Sequence, residues 1–226
     1  TDGDADRIGA VDNLGRFVDP HTIMALSVRY LVERRGLTGA IAKTISSTFM
    51  LNRLAKKYGL ELHETPVGFD VIASLIINDD ILLGGEESGS ITIKGHIPEG
   101  DGILMGLLLM EIVADAGISL SELVEDLQRS VGPACYKRDD IRLKNFVAKK
   151  DIVQRLLDHA PERIAGETVV KIDSYDGVKY HLADDSWLLI RPSGTEPLLR
   201  VYAEAGSQAA VEALLQMGRD LALEKG

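Results

Sequence analysis

Cysteine is nearly missing: Cys135 is the single one among 226 residues. One thiol cannot close an internal disulfide, so the expected compartment is a reducing cytoplasm. Cys135 itself reads as a buried, inert thiol rather than a nucleophile. A basic excess is also missing. The formal net charge is −10, which argues against a nucleic-acid partner, because such a partner needs a basic face. Long apolar runs are missing too. The most apolar stretch, Ile103 to Met110, is far too short to span a bilayer, so no membrane partner is expected. No GxxxxGK(S/T) phosphate loop occurs, and neither an internal repeat nor a low-complexity tract is visible. Hydrophobic residues make up 45% of the chain and charged residues 27%, a balance that fits a folded globular protein rather than a disordered one.

What is present is an alternation of helix and strand signals. Ile8 to Val11 reads as a short strand, and Asp12-Asn13-Leu14-Gly15 as a turn. Asp19-Pro20 is a helix start, with an N-cap followed by proline at the first helical position. Ile23, Leu26, Tyr30 and Leu31 share one face of that helix, and Gly36 ends it. Ala40 to Ile45 is β-like. Ser46 or Ser47 is expected to cap the next helix, which Gly59 ends. Leu60 to Glu64 is strand-like, Val67 to Ile77 helical, and Ile81 to Leu83 a buried strand entering a glycine-rich loop. Asp101 to Gly117 is a mostly buried helix, and Ser119 with Glu122 forms a capping box for another. The pattern predicts a three-layer α/β/α domain with a mainly parallel sheet over residues 15–132. Residues 1–14 are expected to be the tail end of a preceding α/β domain.

After Gly132-Pro133 the pattern changes. Ala148 to His159 is helical. Thr168 to Ser174 and Val178 to Leu182 flank Tyr175-Asp176-Gly177, a hairpin signal. Trp187 to Ile190 and Leu198 to Ala205 are further strands, and Val211 to Leu223 is a closing helix. Residues 133–226 are therefore expected to form a smaller α+β domain on an antiparallel sheet.

Three segments carry chemistry. Asp2, Asp4 and Asp6 alternate, and Arg7 follows. Carboxylates this close repel unless a hard cation neutralises them, and Mg²⁺ suits a few carboxylate oxygens with positions left open. A calcium EF-hand is excluded, because its sixth and twelfth positions would be Arg7 and Asn13 rather than glycine and glutamate. In the second segment, Gly84 to Ser90, the glycines permit close backbone approach. Glu86 and Ser88 are spaced to point to one side, offering acceptors and a donor to two neighbouring sugar hydroxyls. The third segment is Arg191-Pro192-Ser193-Gly194-Thr195-Glu196-Pro197. An arginine that binds phosphate bidentately, two hydroxyls and a glycine that bares backbone N–H groups suit an anion. Each segment alone also fits a plain polar loop.

In this order the three resemble the motifs of the α-D-phosphohexomutases, the phosphoglucomutase and phosphomannomutase family: DGDxDR, GE-x-SG and RPSGTEP. The resemblance covers the whole chain, from the end of the family's second domain through its third and fourth. It implies that Asp2, Asp4 and Asp6 bind Mg²⁺, and that Arg7 helps orient a phosphoserine carried by a domain upstream of Thr1. Lys43 matches a family lysine implied in proton transfer. Glu86 and Ser88 would hold the sugar 3- and 4-hydroxyls. Arg191, Ser193, Gly194 and Thr195 would hold the non-reacting phosphate. His96, near the sugar loop, is expected to be structural, and His21, His63, His159 and His181 to lie on the surface. Ser90 and Phe69 stand where some members carry histidine. Glu87 stands where phosphoglucosamine mutases typically carry glutamine, which favours glucose or mannose phosphates.

The activity implied is transfer of phosphate between C1 and C6 of a hexose, through a bisphosphorylated sugar that reorients between two transfers. Hexose 1- and 6-phosphates and the 1,6-bisphosphate are the expected partners. The chain alone is expected to lack turnover, because the phosphoserine domain is not in it. A non-catalytic sugar-phosphate-binding or interaction module is the rival reading, and a phosphatase using the Asp cluster a weaker one.

Overall fold

In the computed structural model, which describes residues 1–143, 148–193 and 196–223, Asp19 caps the first helix, accepting a hydrogen bond from the Thr22 N–H at 2.8 Å. Two units result, Thr1–Gly132 and Pro133–Gly226.

The first unit opens with a small antiparallel hairpin, β1 (Ala10–Val11) with β2 (Phe17–Val18). Asp12 builds its turn, accepting from the Leu14 and Arg16 N–H groups at 2.9 and 2.8 Å. There follow α1 (Pro20–Glu33), β3 (Ala40–Thr44), α2 (Phe49–Tyr58), β4 (Leu62–Thr65), α3 (Phe69–Asn78), β5 (Ile81–Gly85), β6 (Ile91–Ile93), α4 (Gly102–Ala116) and α5 (Leu120–Val131). The sheet runs β4-β3-β5-β6. The β3 pairings to β4 and β5 are parallel, and β6 returns antiparallel at the edge. Gly84 and Gly85 mark the two faces. A Cβ on Gly84 would lie 2.6 Å from Ile72 of α3, and one on Gly85 would lie 2.6 Å from Met24 of α1. Successive residues of a strand face opposite ways, so helices cover both faces and the layers are α/β/α.

The second unit contains β7 (Cys135–Arg142), α6 (Lys149–Asp158), β8 (Arg163–Ile164), β9 (Glu167–Asp173), β10 (Val178–Leu182), β11 (Trp187–Pro192), β12 (Leu198–Ala205) and α7 (Gln208–Leu223). Its antiparallel sheet is ordered β7-β12-β11-β10-β9-β8. One face buries Tyr180, Leu188, Ile190 and Val201 together with Ile152 and Leu156 of α6 and Val211 and Leu214 of α7. Burial pushes the Tyr180 hydroxyl up to about 12, against a lowering by Arg155.

The structure corrects several expectations. The N-cap of α2 is Thr48, which accepts from the Met50 N–H. The Ser46 and Ser47 hydroxyls are instead within 3.3 and 2.9 Å of Thr44 Oγ1. His21 is buried, not on the surface, at 2% exposure. The reason is that α1 packs against α2, α4, α5 and β5 together, so little of its circumference meets water. His63 and His181 are half-buried, His181 against Asp173 at 2.8 Å, and His159 is exposed. Cys135 is half-buried rather than buried. No single described helix is long and apolar enough to cross a membrane, and the α4–α5 pair, apolar enough together, bends by 84°.

Candidate active site

The acidic loop turns at Ala5, whose φ of 62° is left-handed. That conformation is uncommon for a residue with a Cβ and marks local strain. The turn gathers Asp2, Asp4 and Asp6 so that one carboxylate oxygen from each lies within 4.8 Å of the others. Asp6 Oδ1 is buried, sits 3.5 Å from Arg7 Nε, and accepts no hydrogen bond among the described residues. A cluster of hard oxygen donors with one lone pair unmet fits a small divalent cation. Arg7 Nε lies 2.6 Å from Asp2 Oδ2. Burial alone would raise the Asp2 pKa, but the backbone N–H and guanidinium of Arg7 outweigh it and hold the carboxyl below its ordinary value.

The acidic loop is stitched to the glycine-rich loop. Arg7 and Ser90 form an isolated antiparallel bridge, and the Ile8 N–H donates to Gly89 O at 3.1 Å. From the other side the Gly102 N–H, at the start of α4, donates to Ala5 O at 2.9 Å. This fit needs glycines. A Cβ on Gly89 would lie 2.5 Å from Ile8 O, one on Gly100 would overlap Ser90 Oγ, and one on Gly102 would lie 2.5 Å from Arg7 O. Sequence reading does not single out Gly100 and Gly102. The available signal is a cap residue, Asp101, flanked by glycine on both sides. Asp2, Arg7, Phe17, Glu87 and Ser88 line an open groove of about 500 Å³.

Glu86 and Ser88 do face together, with Ser88 Oγ 3.3 Å from Glu86 Oε2. The other Glu86 oxygen accepts from the Gly68 N–H at 2.9 Å, and Gly68 is the N-cap residue of α3. The carboxylate thus replaces a missing side-chain cap at a helix N-terminus, where negative charge is favoured.

Lys43 is not a surface lysine. It is 1% exposed, and its ammonium lies 3.2 Å from Glu64 Oε2 and donates to Thr48 O at 3.1 Å and Ser47 O at 3.3 Å. His96 lies 2.9 Å from Asp101 Oδ2, while Asp101 Oδ1 caps α4 at the Leu104 N–H. That pairing gives His96 a structural place behind the loops.

In the second unit, Arg191 lies near the end of β11. Its Nε donates to Asp176 Oδ2 at 2.8 Å, and Arg200 of β12 stands directly opposite it in the register. Arg200 Nε is buried and has no hydrogen-bond partner among the described residues. Ser193 Oγ accepts from the Glu196 N–H at 3.3 Å. Gly194 and Thr195 lie outside the described residues. Sequence reading missed Arg200 and saw Asp176 only as a turn residue.

Residues 19–130 match the alpha/beta/alpha domain III of phosphoglucomutase/phosphomannomutase, and residues 146–221 match the C-terminal domain of the same proteins. A phosphoglucomutase/phosphomannomutase of Thermococcus kodakarensis is 32% identical over 96% of this chain and 45% of its own length. A phosphoglucosamine mutase of Methanococcus aeolicus is 36% identical over 96% of this chain and 46% of its own. A candidate phosphomannomutase of known structure from Thermus thermophilus superposes with a TM-score of 0.80 at 36% identity, covering 98% of this chain and 44% of that one. The chain thus spans about half the length of the curated relatives it matches.

Proposed function

Because the chain belongs to the phosphoglucomutase/phosphomannomutase family, we propose that it forms the metal-, sugar- and phosphate-binding part of a cytoplasmic phosphohexomutase. The reaction is interconversion of hexose 1-phosphate and hexose 6-phosphate, through a phosphoserine supplied by a domain before Thr1 and a bisphosphorylated sugar. Residues 1–14 would be the end of that preceding domain. The observation that carries the reading is the bridge between Arg7 and Ser90, which joins an acidic cluster to a loop bearing a carboxylate–hydroxyl pair.

Asp2, Asp4 and Asp6 would hold Mg²⁺, which would supply charge neutralisation at a phosphoryl group. Arg7, already paired with Asp2, would orient the phosphoserine. Glu86 and Ser88 would accept from and donate to a vicinal diol, a grip that looks similar from either end of the sugar. Arg191, Ser193, Gly194 and Thr195 would hold the phosphate that is not reacting, with Arg200 opposite Arg191 in the sheet. Lys43, buried with its ammonium 3.2 Å from Glu64, would assist proton transfer, the role that its match to the family lysine implies. Glu87 favours glucose or mannose substrates. Since the relatives include phosphoglucosamine mutases, glucosamine phosphate belongs in the comparison.

The test is phosphoryl transfer by the complete polypeptide on glucose, mannose and glucosamine 1-phosphates, beside this chain alone. Turnover is expected from the complete polypeptide, with glucose or mannose preferred, and none from the chain. In the complete polypeptide Arg191→Ala should raise KM about tenfold or more, through loss of charge-assisted hydrogen bonds. Unchanged KM and kcat would reduce the Arg191 segment to a hairpin loop.

A further inference from the structure

The turn between β9 and β10 contains a buried carboxylate. Asp176 is 3% exposed, in a hairpin turn where an aspartate would ordinarily point into water. Each of its oxygens meets a cation from a different element. Oδ2 accepts from Arg191 Nε at 2.8 Å, and Oδ1 accepts from Lys149 Nζ, at the start of α6, at 2.5 Å. Gly177 brings the turn this close. Its φ is 97°, and a Cβ there would lie 2.6 Å from Ile190 O and 3.0 Å from Arg191 Cα. Any other residue would push the turn, and Asp176 with it, away from the arginine.

A negative charge beside an anion-binding arginine is unfavourable if the arginine contributes only charge. Its presence is explained if orientation is what matters. A guanidinium held at Nε has its plane fixed and presents its two Nη groups as a fork, the geometry that matches two oxygens of a phosphate. We infer that Asp176 is a positioning residue, which holds the Arg191 guanidinium edge-on for a phosphate group while Lys149 offsets the remaining charge of the carboxylate. The inference rests on the reading of the Arg191 segment as a phosphate anchor.

The two accounts of Asp176 predict opposite signs. As a bystander charge, its removal should tighten phosphate binding, since a repulsive carboxylate is gone. As a positioning group, its removal should weaken binding, since the fork loses its orientation. The experiment is titration of this chain with inorganic phosphate and with glucose 6-phosphate at pH 7.5 and fixed ionic strength, followed by ³¹P line broadening. Wild type is compared with Arg191→Ala, Asp176→Ala and Asp176→Asn. The Arg191 Nε–Hε resonance is recorded in parallel, and thermal unfolding checks each variant.

Arg191→Ala should weaken both ligands about tenfold or more. Asp176→Ala should weaken them about fivefold and shift or broaden the Nε–Hε resonance. Asp176→Asn, which keeps one acceptor for Nε, should lose less than the alanine variant and carries the test if the latter does not fold. Equal or tighter binding by the Asp176 variants, with Arg191→Ala still weakened, would overturn the positioning role and leave the anchor intact. Unchanged binding by Arg191→Ala would instead overturn the anchor.

Discussion

Gly102→Ala is a small change that should act on metal binding. The added Cβ would lie 2.5 Å from Arg7 O and 3.0 Å from Ala5 O. Non-bonded contacts settle at larger separations, so either the acidic loop or the start of α4 must move by roughly 0.5–1 Å. Two hydrogen bonds depend on that fit, Gly102 N–H to Ala5 O at 2.9 Å and Ile8 N–H to Gly89 O at 3.1 Å. At about 1 kcal/mol each, losing one or both removes about 1–2 kcal/mol from the order of the loop. Divalent-cation affinity should fall about five- to thirtyfold, since 1.4 kcal/mol is about a tenfold change. Gly106→Ala is the control. A Cβ there meets only Ile8 Cδ1, at an ordinary 3.7 Å, so the helix should gain up to about 1 kcal/mol with metal affinity unchanged. Mn²⁺ titration by water proton relaxation, with thermal unfolding on the same samples, measures both quantities. Gly102→Ala binding Mn²⁺ within about twofold of wild type would refute the argument. So would an equal loss in Gly106→Ala, because the effect would then not come from the fit at Arg7.

Other expectations follow from the same geometry. Lys43→Met leaves Glu64 without the ammonium 3.2 Å away and should destabilise the first unit by about 3 kcal/mol or more in denaturant unfolding; a loss under about 1 kcal/mol would mean that the pair is not structural. The Asp101 carboxyl is held below its ordinary 3.8 first by the Leu104 N–H and then, against burial, by His96. Its contribution to stability is therefore complete above about pH 5 and is lost as the pH falls through the lower, folded-state value. Asp101→Asn should flatten the acid limb of the unfolding free energy, and an unchanged slope would contradict the assignment. In the complete polypeptide, Glu86→Ala should lower kcat/KM for glucose and mannose phosphates alike, and a tenfold change in their ratio would remove Glu86 from a diol that both sugars share. Ser119→Ala should cost about 1 kcal/mol by breaking the capping box with Glu122, as read from thermal unfolding.

Local signals made much of the fold legible. Asp19-Pro20, Ser119 with Glu122, and Tyr175-Asp176-Gly177 fix their turns and caps through neighbours a few residues away, and the structure places them as the sequence does. Strand β7 was not legible. Cys135–Arg142 is an edge strand rich in charge, which protects an edge from unwanted pairing but erases the apolar alternation that identifies strands. The cap of α2 was misplaced because the Ser46 and Ser47 hydroxyls are engaged with Thr44, a competition that residue type does not encode. The segments Asp2 to Arg7, Gly84 to Ser90 and Arg191 to Pro197 are visible as motifs. What holds them was not: Gly68 on Glu86, Gly102 on Ala5 and Asp176 on Arg191 lie 18, 97 and 15 residues from their partners. Such contacts come from packing rather than from local preference.

The bridge between Arg7 and Ser90 joins the acidic loop to the glycine-rich loop. A cation held by Asp2, Asp4 and Asp6 would therefore also order Gly89 and Ser90, and a diol gripped by Glu86 and Ser88 would steady the acidic loop in return. Two such ligands would share one ordering cost, and whichever bound first would leave the second less to overcome. Linkage would make the favour mutual: the factor by which a sugar raised metal affinity would equal the factor by which a metal raised sugar affinity. Ala5, strained at the centre of the acidic loop, is where that shared order would be lost first.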